Sequence, residues 1–228
     1  MAHAADYTWT GNAGDNMWDN SNNWAVGGEP NGYYPQSGSD NAIINDGNYQ
    51  ITWSSEDVYF GASNEIYLGS GNTLLITTGS GAADINFSAI HLSGDATVEL
   101  SSTNAIGYKK DFTIDYGTFT ADSHGFFDAT LDGTLWSNGH TLTLVGELNT
   151  SNLTGSGTIL LYDASSAEGG INWNTDGLIL TESETVQLDL VTTGTSVAIN
   201  YEVLNVPEAS SVLLSVLGLG VLGLRRRR

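Results

Sequence analysis

Residues 66–76 read IYLGSGNTLLI and residues 90–100 read IHLSGDATVEL. Each begins with a short apolar stretch, turns at glycine, and continues as an alternating strand. Four more segments share the layout: 43–53 (IINDGNYQITW), 112–121 (FTIDYGTFTA), 135–144 (LWSNGHTLTL) and 153–161 (LTGSGTILL). Their marker glycines are Gly47, Gly71, Gly94, Gly117, Gly139 and Gly157, at intervals that fall from 24 (71 − 47) to 18 (157 − 139). Weaker copies follow at Gly177 and Gly194. Alternation such as Thr141-Leu142-Thr143-Leu144 sends one set of side chains inward and the other to water. A short strand pair cannot bury its inward set alone, so repeats near this length stack on one another. The expectation is an all-β fold: a single-stranded parallel β-helix (β-solenoid) of about seven or eight rungs over residues 40–205. An ordinary antiparallel sandwich, which also shows short strands between frequent turns, is the competing architecture.

The ends differ from the repeats. Residues 1–39 are rich in Trp, Asn and Gly and lack periodicity, which suits an N-terminal cap over the first rung. Trp9, Trp18 and Trp24 are the rings for it. Ala2-His3-Ala4 has the small-x-small form of a signal-peptidase site. From Val206 the chain reads VPEASSVLLSVLGLGVLGLRRRR. Residues 212–224 are apolar or small, and a helix of that length spans about 20 Å at 1.5 Å per residue, short of a bilayer core of about 30 Å. A cluster such as Arg225, Arg226, Arg227 and Arg228 stays on the cytoplasmic side of a membrane. A short C-terminal apolar helix is therefore expected in 206–228, with a core helix as the bland alternative.

Net charge narrows the partners. The chain of 228 residues carries −20, with only six Lys and Arg. Residues 1–206 hold 25 Asp and Glu against Lys109 and Lys110, a net of −23 (2 − 25). Nucleic acid is excluded as a partner, since phosphate binding needs clustered cations. Cysteine is absent, which removes disulfides, thiolate metal sites and thiol catalysis.

The C-terminal segment resembles the PEP-CTERM sorting signal of exported bacterial proteins: Pro207-Glu208-Ala209, an apolar run, then four arginines. Alanine at 209 departs from the Pro-Glu-Pro of that family. The resemblance implies transient inner-membrane anchoring through the apolar segment and cleavage by an exosortase-like enzyme. It also implies a destination at the cell surface or in the extracellular matrix. The opening WTGNAGDNMWDNSNNW, followed by Pro35, Asp40, Ala42 and Ile43, is similar to the start of bacterial surface β-helix proteins with autotransporter-type repeats. Trp9, Gly11, Trp18, Asn23 and Trp24 carry that likeness, and it implies architecture rather than ligand.

Some β-helix proteins cleave polysaccharide. A lyase base would have to come from Lys109 or Lys110, beside Asp111 and Asp115. A hydrolase needs two carboxylates a few ångströms apart. The densest titratable group is Asp122, His124, Asp128 and Asp132. Both sets read better as solvated surface. His91 and His140 sit in different rungs, and zinc wants three or more converging ligands. No cofactor is expected. Calcium would find oxygens at the turn carboxylates Asp46, Asp95 and Asp132. Tyr33, Tyr34, Tyr49, Trp53, Trp136 and Trp173 are the aromatics available for stacking on sugars, against a bland role in packing. The expectation is a non-enzymatic structural or adhesive protein of the cell surface or matrix, touching extracellular polysaccharide. A carbohydrate-active β-helix enzyme, lyase or hydrolase, is the alternative.

Overall fold

The alternation of the repeats becomes columns of strands paired side by side. The computed structural model describes residues 5–36, 39–55, 65–78, 83–85, 87–102, 106–108, 110–131, 134–164 and 168–204. The N-terminal zone supplies β1 (Asp6–Trp9) and β2 (Trp24–Val26). The repeats begin with β3 (Asn41–Ile44) and β4 (Gln50–Ser55). Three strands come from each of the next two: β5 (Glu65–Leu68), β6 (Thr73–Thr78) and β7 (Ala83–Ile85), then β8 (Ala89–Leu92), β9 (Thr97–Ser102) and β10 (Ile106–Tyr108). The strands then lengthen: β11 (Phe112–Phe119), β12 (Phe126–Leu131), β13 (Thr134–Leu148), β14 (Ser156–Asp163) and β15 (Glu168–Ile179). A hairpin, β16 (Val186–Thr192) and β17 (Ser196–Val203), comes last.

The fold is all-β, with two mostly parallel sheets and no α-helix among the described residues. One sheet runs β2-β1-β3-β5-β8-β11-β13-β10-β7, with β15 also on β13. The other runs β16-β17-β14-β12-β9-β6-β4. β13 serves twice: Leu135 and Trp136 pair with β10, while Phe112–Phe119 of β11 lie along Leu142–Leu148.

The register shows what holds the strands together. Ala42, Ile66, Ile90, Ile114 and Leu144 are successive partners. The chain thus returns in even steps of 24 (66 − 42) until a last, longer step of 30 (144 − 114). In the second sheet Ile51, Leu74, Val98, Phe127 and Tyr162 follow one another in the same way. All ten side chains are essentially buried. Burying one such aliphatic or aromatic side chain stabilises by about 1.5–3 kcal/mol before conformational entropy is charged against it. A one-residue slip would turn a whole column to water.

Turns stack as the strands do. Gly71 has φ +78°, and a Cβ there would lie 2.2 Å from the Gly47 carbonyl oxygen one pass earlier. The buried Asn72 donates to the carbonyls of Asn45 and Gly69, and its Oδ1 accepts from the Tyr49 amide.

In the second sheet the parallel pattern stops past β14, while in the first β15 still pairs parallel with β13. β17 pairs antiparallel with both β14 and β16. Only residues 193–195 join the hairpin strands, and Thr193 Oγ1 accepts from the amides of Thr195 and Ser196. A parallel return needs a dozen or more residues, so a link this short can only reverse the chain. Gly194 therefore marks a hairpin turn and opens no parallel pass, whereas Gly177 lies inside β15, a parallel strand, opposite Val145.

The N-terminal zone packs its tryptophan rings against the first strands. Trp18 and Trp24 are 0% exposed and Trp9 is 5% exposed. Trp24 packs edge-on against Trp9 and Trp18 at 5.0 and 4.7 Å, and Trp18 stacks on Trp53 at 5.3 Å. Asn23, also fully buried, donates to Asp15 and the Met17 carbonyl, while its Oδ1 accepts from the Ala13 amide. The Trp18 Nε1–H reaches the Pro35 carbonyl. Among the described residues no helix is long and apolar enough to cross a membrane. The expected C-terminal helix, Pro207-Glu208-Ala209 and Arg225 to Arg228 lie outside the described residues.

Candidate functional site

Outward positions of the first sheet form a second set of columns. Ile43, Tyr67, His91 and Asp115 are successive partners on β3, β5, β8 and β11. The Tyr67 and His91 rings stack at 4.3 Å with planes 5° apart. Nδ1 of His91 lies 3.0 Å from Asp115 Oδ2, and Nε2 lies 3.6 Å from Glu65 Oε2 with no hydrogen-bond partner. The Tyr67 hydroxyl donates to the same Glu65 carboxylate at 2.6 Å. That hydrogen bond, with burial and the neighbouring carboxylate charges behind it, pushes the Tyr67 phenol up to about 12. The phenol therefore stays a neutral donor at any physiological pH. Tyr67 is still 38% exposed.

A shallow groove of about 360 Å³ runs beside this group, lined by Ile43, Asn45, Asp46, Tyr67, His91 and Ser93. It offers an aromatic ring, an aliphatic floor and several short polar side chains in one open face. That combination suits the apolar CH faces and hydroxyls of a sugar. The face holds no three-ligand metal arrangement, and none occurs elsewhere among the described residues.

The densest titratable group of the sequence separates. Asp122 is exposed in the turn after β11. His124 is half-buried there, its pKa lowered chiefly by burial against the opposing pull of the Ala121, Leu160 and Thr120 carbonyls. Asp128 projects from β12, where its strand partners are Glu99 on β9 and Asp163 on β14. The structure thus aligns Asp128 with two carboxylates that the linear cluster did not contain. Asp132 and Lys109 lie outside the described residues. Lys110 is half-buried and donates to Ser88 Oγ, and burial lowers its pKa.

The turn carboxylates are engaged by backbone. Asp46 accepts from the Ser70 amide, and Asp95 accepts from the Gly71 amide and the Ser70 hydroxyl. Those bonds, the Ser70 hydroxyl first, hold Asp95 below the usual carboxylate range. Each carboxylate ties one turn to the next and has that much less capacity for a cation. His140 faces Asp111 at 3.7 Å.

Of the aromatics, Trp53 and Trp173 pack inward. Trp53 lies under Trp18, and Trp173 abuts Tyr162 at 5.0 Å and donates to the Thr193 carbonyl. Tyr34 packs against the core, Tyr49 meets Trp9 edge-on, and Tyr33 is 58% exposed in a loop. Trp136 pairs through its backbone with Gly107 and Gly170. Sequence reasoning passed over Tyr67, although a signal existed. Tyr67, His91 and Asp115 each follow the inward isoleucine of their own repeat, at the same place in three successive passes.

Comparison of the chain with protein-family models, with curated proteins and with solved structures found no match.

Proposed function

We propose that this chain is an exported, non-enzymatic protein of the bacterial cell surface or extracellular matrix. Its body is a parallel β-solenoid whose outer face contacts polysaccharide. The solenoid reading rests on the regular return of the chain to one register and on strands three apart in sequence pairing in parallel. The adhesive reading rests on one observation, the Tyr67–His91 stack flanked by Glu65 and Asp115 beside an open groove. A body this acidic repels itself and stays dispersed, and calcium would bridge it to anionic polymer. The segment from Val206 is the sorting signal, cut near Pro207-Glu208-Ala209 by an exosortase-like enzyme after Arg225 to Arg228 have stopped transfer at the inner membrane.

A glycan array run on the full chain with and without calcium tests the adhesive reading. Tyr67→Ala should weaken the best glycan about tenfold, the ~1.4 kcal/mol expected of one aromatic contact. Binding unaffected by that substitution, or no binding at all, overturns it. Mass spectrometry of the surface-exposed protein should find its C-terminus close to residues 207–209; a C-terminus still at Arg228 overturns the sorting reading.

The Glu99–Asp128–Asp163 column favours a second reading, a glycoside hydrolase using neighbouring carboxylates. Reducing-sugar release that disappears in Asp128→Asn would establish it in place of the first.

A further inference from the structure

Lys110 is the only lysine or arginine among the described residues. It stands just before β11, and its Nζ reaches back one pass to donate to Ser88 Oγ at 2.5 Å. Ser88 stands just before β8, between Phe87 and Ala89, which are both buried. The Thr113 amide donates to the Ser88 carbonyl at 3.0 Å, so sheet pairing holds the backbone beneath the hydroxyl. The buried Phe87 and Phe112 rings meet edge-on at 4.9 Å. Phe87 is the chain neighbour of Ser88, and Phe112 lies one place before the Ala89–Thr113 pair, so the corner is apolar underneath. Ser88 and Lys110 themselves stay partly exposed. The acid next in the chain, Asp111, turns to the following pass: it accepts from the Thr141 amide and faces His140 at 3.7 Å.

We infer that Ser88 is a nucleophile that accepts an acyl group from a carboxylic ester, with Lys110 as its general base. A serine hydroxyl is a weak nucleophile until an adjacent base takes its proton, and an amine serves as that base in serine–lysine pairs. The amine must first be neutral. Burial lowers the Lys110 pKa below the ordinary 10.5, which brings the neutral form closer. Once Lys110 has lost its proton the hydrogen bond reverses, and the Ser88 hydroxyl donates to Nζ. Oγ then bonds to the ester carbonyl carbon as its proton passes to Nζ. The bond from that carbon to the alkoxy oxygen breaks, Lys110 hands the proton to the departing oxygen, and an alcohol leaves. Ser88 is left as an acyl ester and Lys110 as a neutral amine. One acyl group is taken per chain, so the event needs no turnover. It also stands apart from polysaccharide contact at Tyr67, which involves neither residue.

The absence of cysteine keeps the test clean, since no thiol competes for an electrophile. The full-length chain is treated with an alkyl fluorophosphonate, which bonds to an activated serine oxygen with loss of fluoride, and is mapped by peptide mass spectrometry. Ser88 should be labelled at least about tenfold faster than any other serine of the chain, the lower end of what a positioned base supplies. The rate at Ser88 should rise with pH and level off with a midpoint below 10.5. Lys110→Met should lower it at least about tenfold, and Lys110→Arg should do the same, because a guanidinium keeps its proton. Circular dichroism should report an unchanged fold in both. With p-nitrophenyl acetate as the ester, an acetyl group should be found on Ser88 of the native chain and be missing from both lysine variants. Labelling of Ser88 no faster than of the other serines overturns the inference. A rate at Ser88 that is indifferent to pH, or one that Lys110→Arg preserves, overturns it as well.

Discussion

At the N-terminal end the apolar interior stops against tryptophan rings; at the C-terminal end it stops against a hairpin. The first closure serves two needs with one segment. Thr52 of the outermost strand β4 donates to the Asn16 carbonyl and accepts from the Trp18 amide, so the sheet edge is paired. The Trp18 ring meanwhile stacks on Trp53 and is itself fully buried. The second closure pairs the edge only. β17 completes the hydrogen bonding of β14, and Glu182 takes the Leu188 amide on the outermost strand. Leu178, Leu180, Leu188, Leu190 and Tyr201 stay only partly covered, and Ile179 is 54% exposed. Satisfying a strand edge and covering a core are thus separate tasks, and among the described residues the large rings of the N-terminal end carry the second one further.

The sharpest test of that contrast is Trp24→Ala. Removing a fully buried indole from the cap should cost about 3–5 kcal/mol, read from urea unfolding. Leu190→Ala, at the other end, should cost less, about 1–2 kcal/mol, because its side chain is smaller than an indole and part of it is already exposed. Equal costs would erase the difference between the ends.

Acid should separate them more gently. His124, close to the Leu160 carbonyl of β14, has a folded pKa depressed by burial below the ordinary 6.5. The unfolded chain binds that proton more readily, so the stability is fully present above pH 6.5 and declines as pH falls below it. Asp15 in the cap is held low by Asn20, then by the Met17 amide and Asn23. Its contribution is present above the ordinary 3.8 and is lost only as pH falls under that value. Stability measured between pH 7 and 5 should therefore drop in the native chain and flatten in His124→Gln. Tryptophan fluorescence of a Trp136→Phe, Trp173→Phe chain, which leaves only Trp9, Trp18, Trp24 and Trp53 as reporters, should hold until below pH 4. A cap signal that changes together with the His124 transition contradicts this order.

The repeat was legible in the sequence because Ile66, Ile90 and Ile114 stand at one inward place in three successive passes. The later passes were not, and the glycines explain why. From Gly117 onward their spacing shortens, while the true return lengthens between Ile114 and Leu144. Glycine marks a corner without saying which. Gly71 turns between β5 and β6, Gly117 falls at the register shift inside β11, and Gly139 lies within β13. The burial of Trp9, Trp18 and Trp24 was legible, since rings that large have few other places to go. The outward group was harder. Tyr67, His91 and Asp115 are unlike residues, and only the register makes them neighbours; the same holds for Glu99, Asp128 and Asp163.

Similar passes carry a hazard of their own: in the first sheet, a strand that pairs one whole pass out of place still meets isoleucine with isoleucine, so that column gives the folding chain little energetic reason to correct itself. The buried tyrosines break that degeneracy. Tyr108 and Tyr162 share a hydroxyl contact across 54 residues, and Tyr116 donates to the Leu161 carbonyl across 45. A displaced pass would strand those hydroxyls in an apolar interior at about 1–3 kcal/mol each. Three phenols thus work as a proofreading lock, penalising a misaligned assembly that the isoleucine column alone would accept.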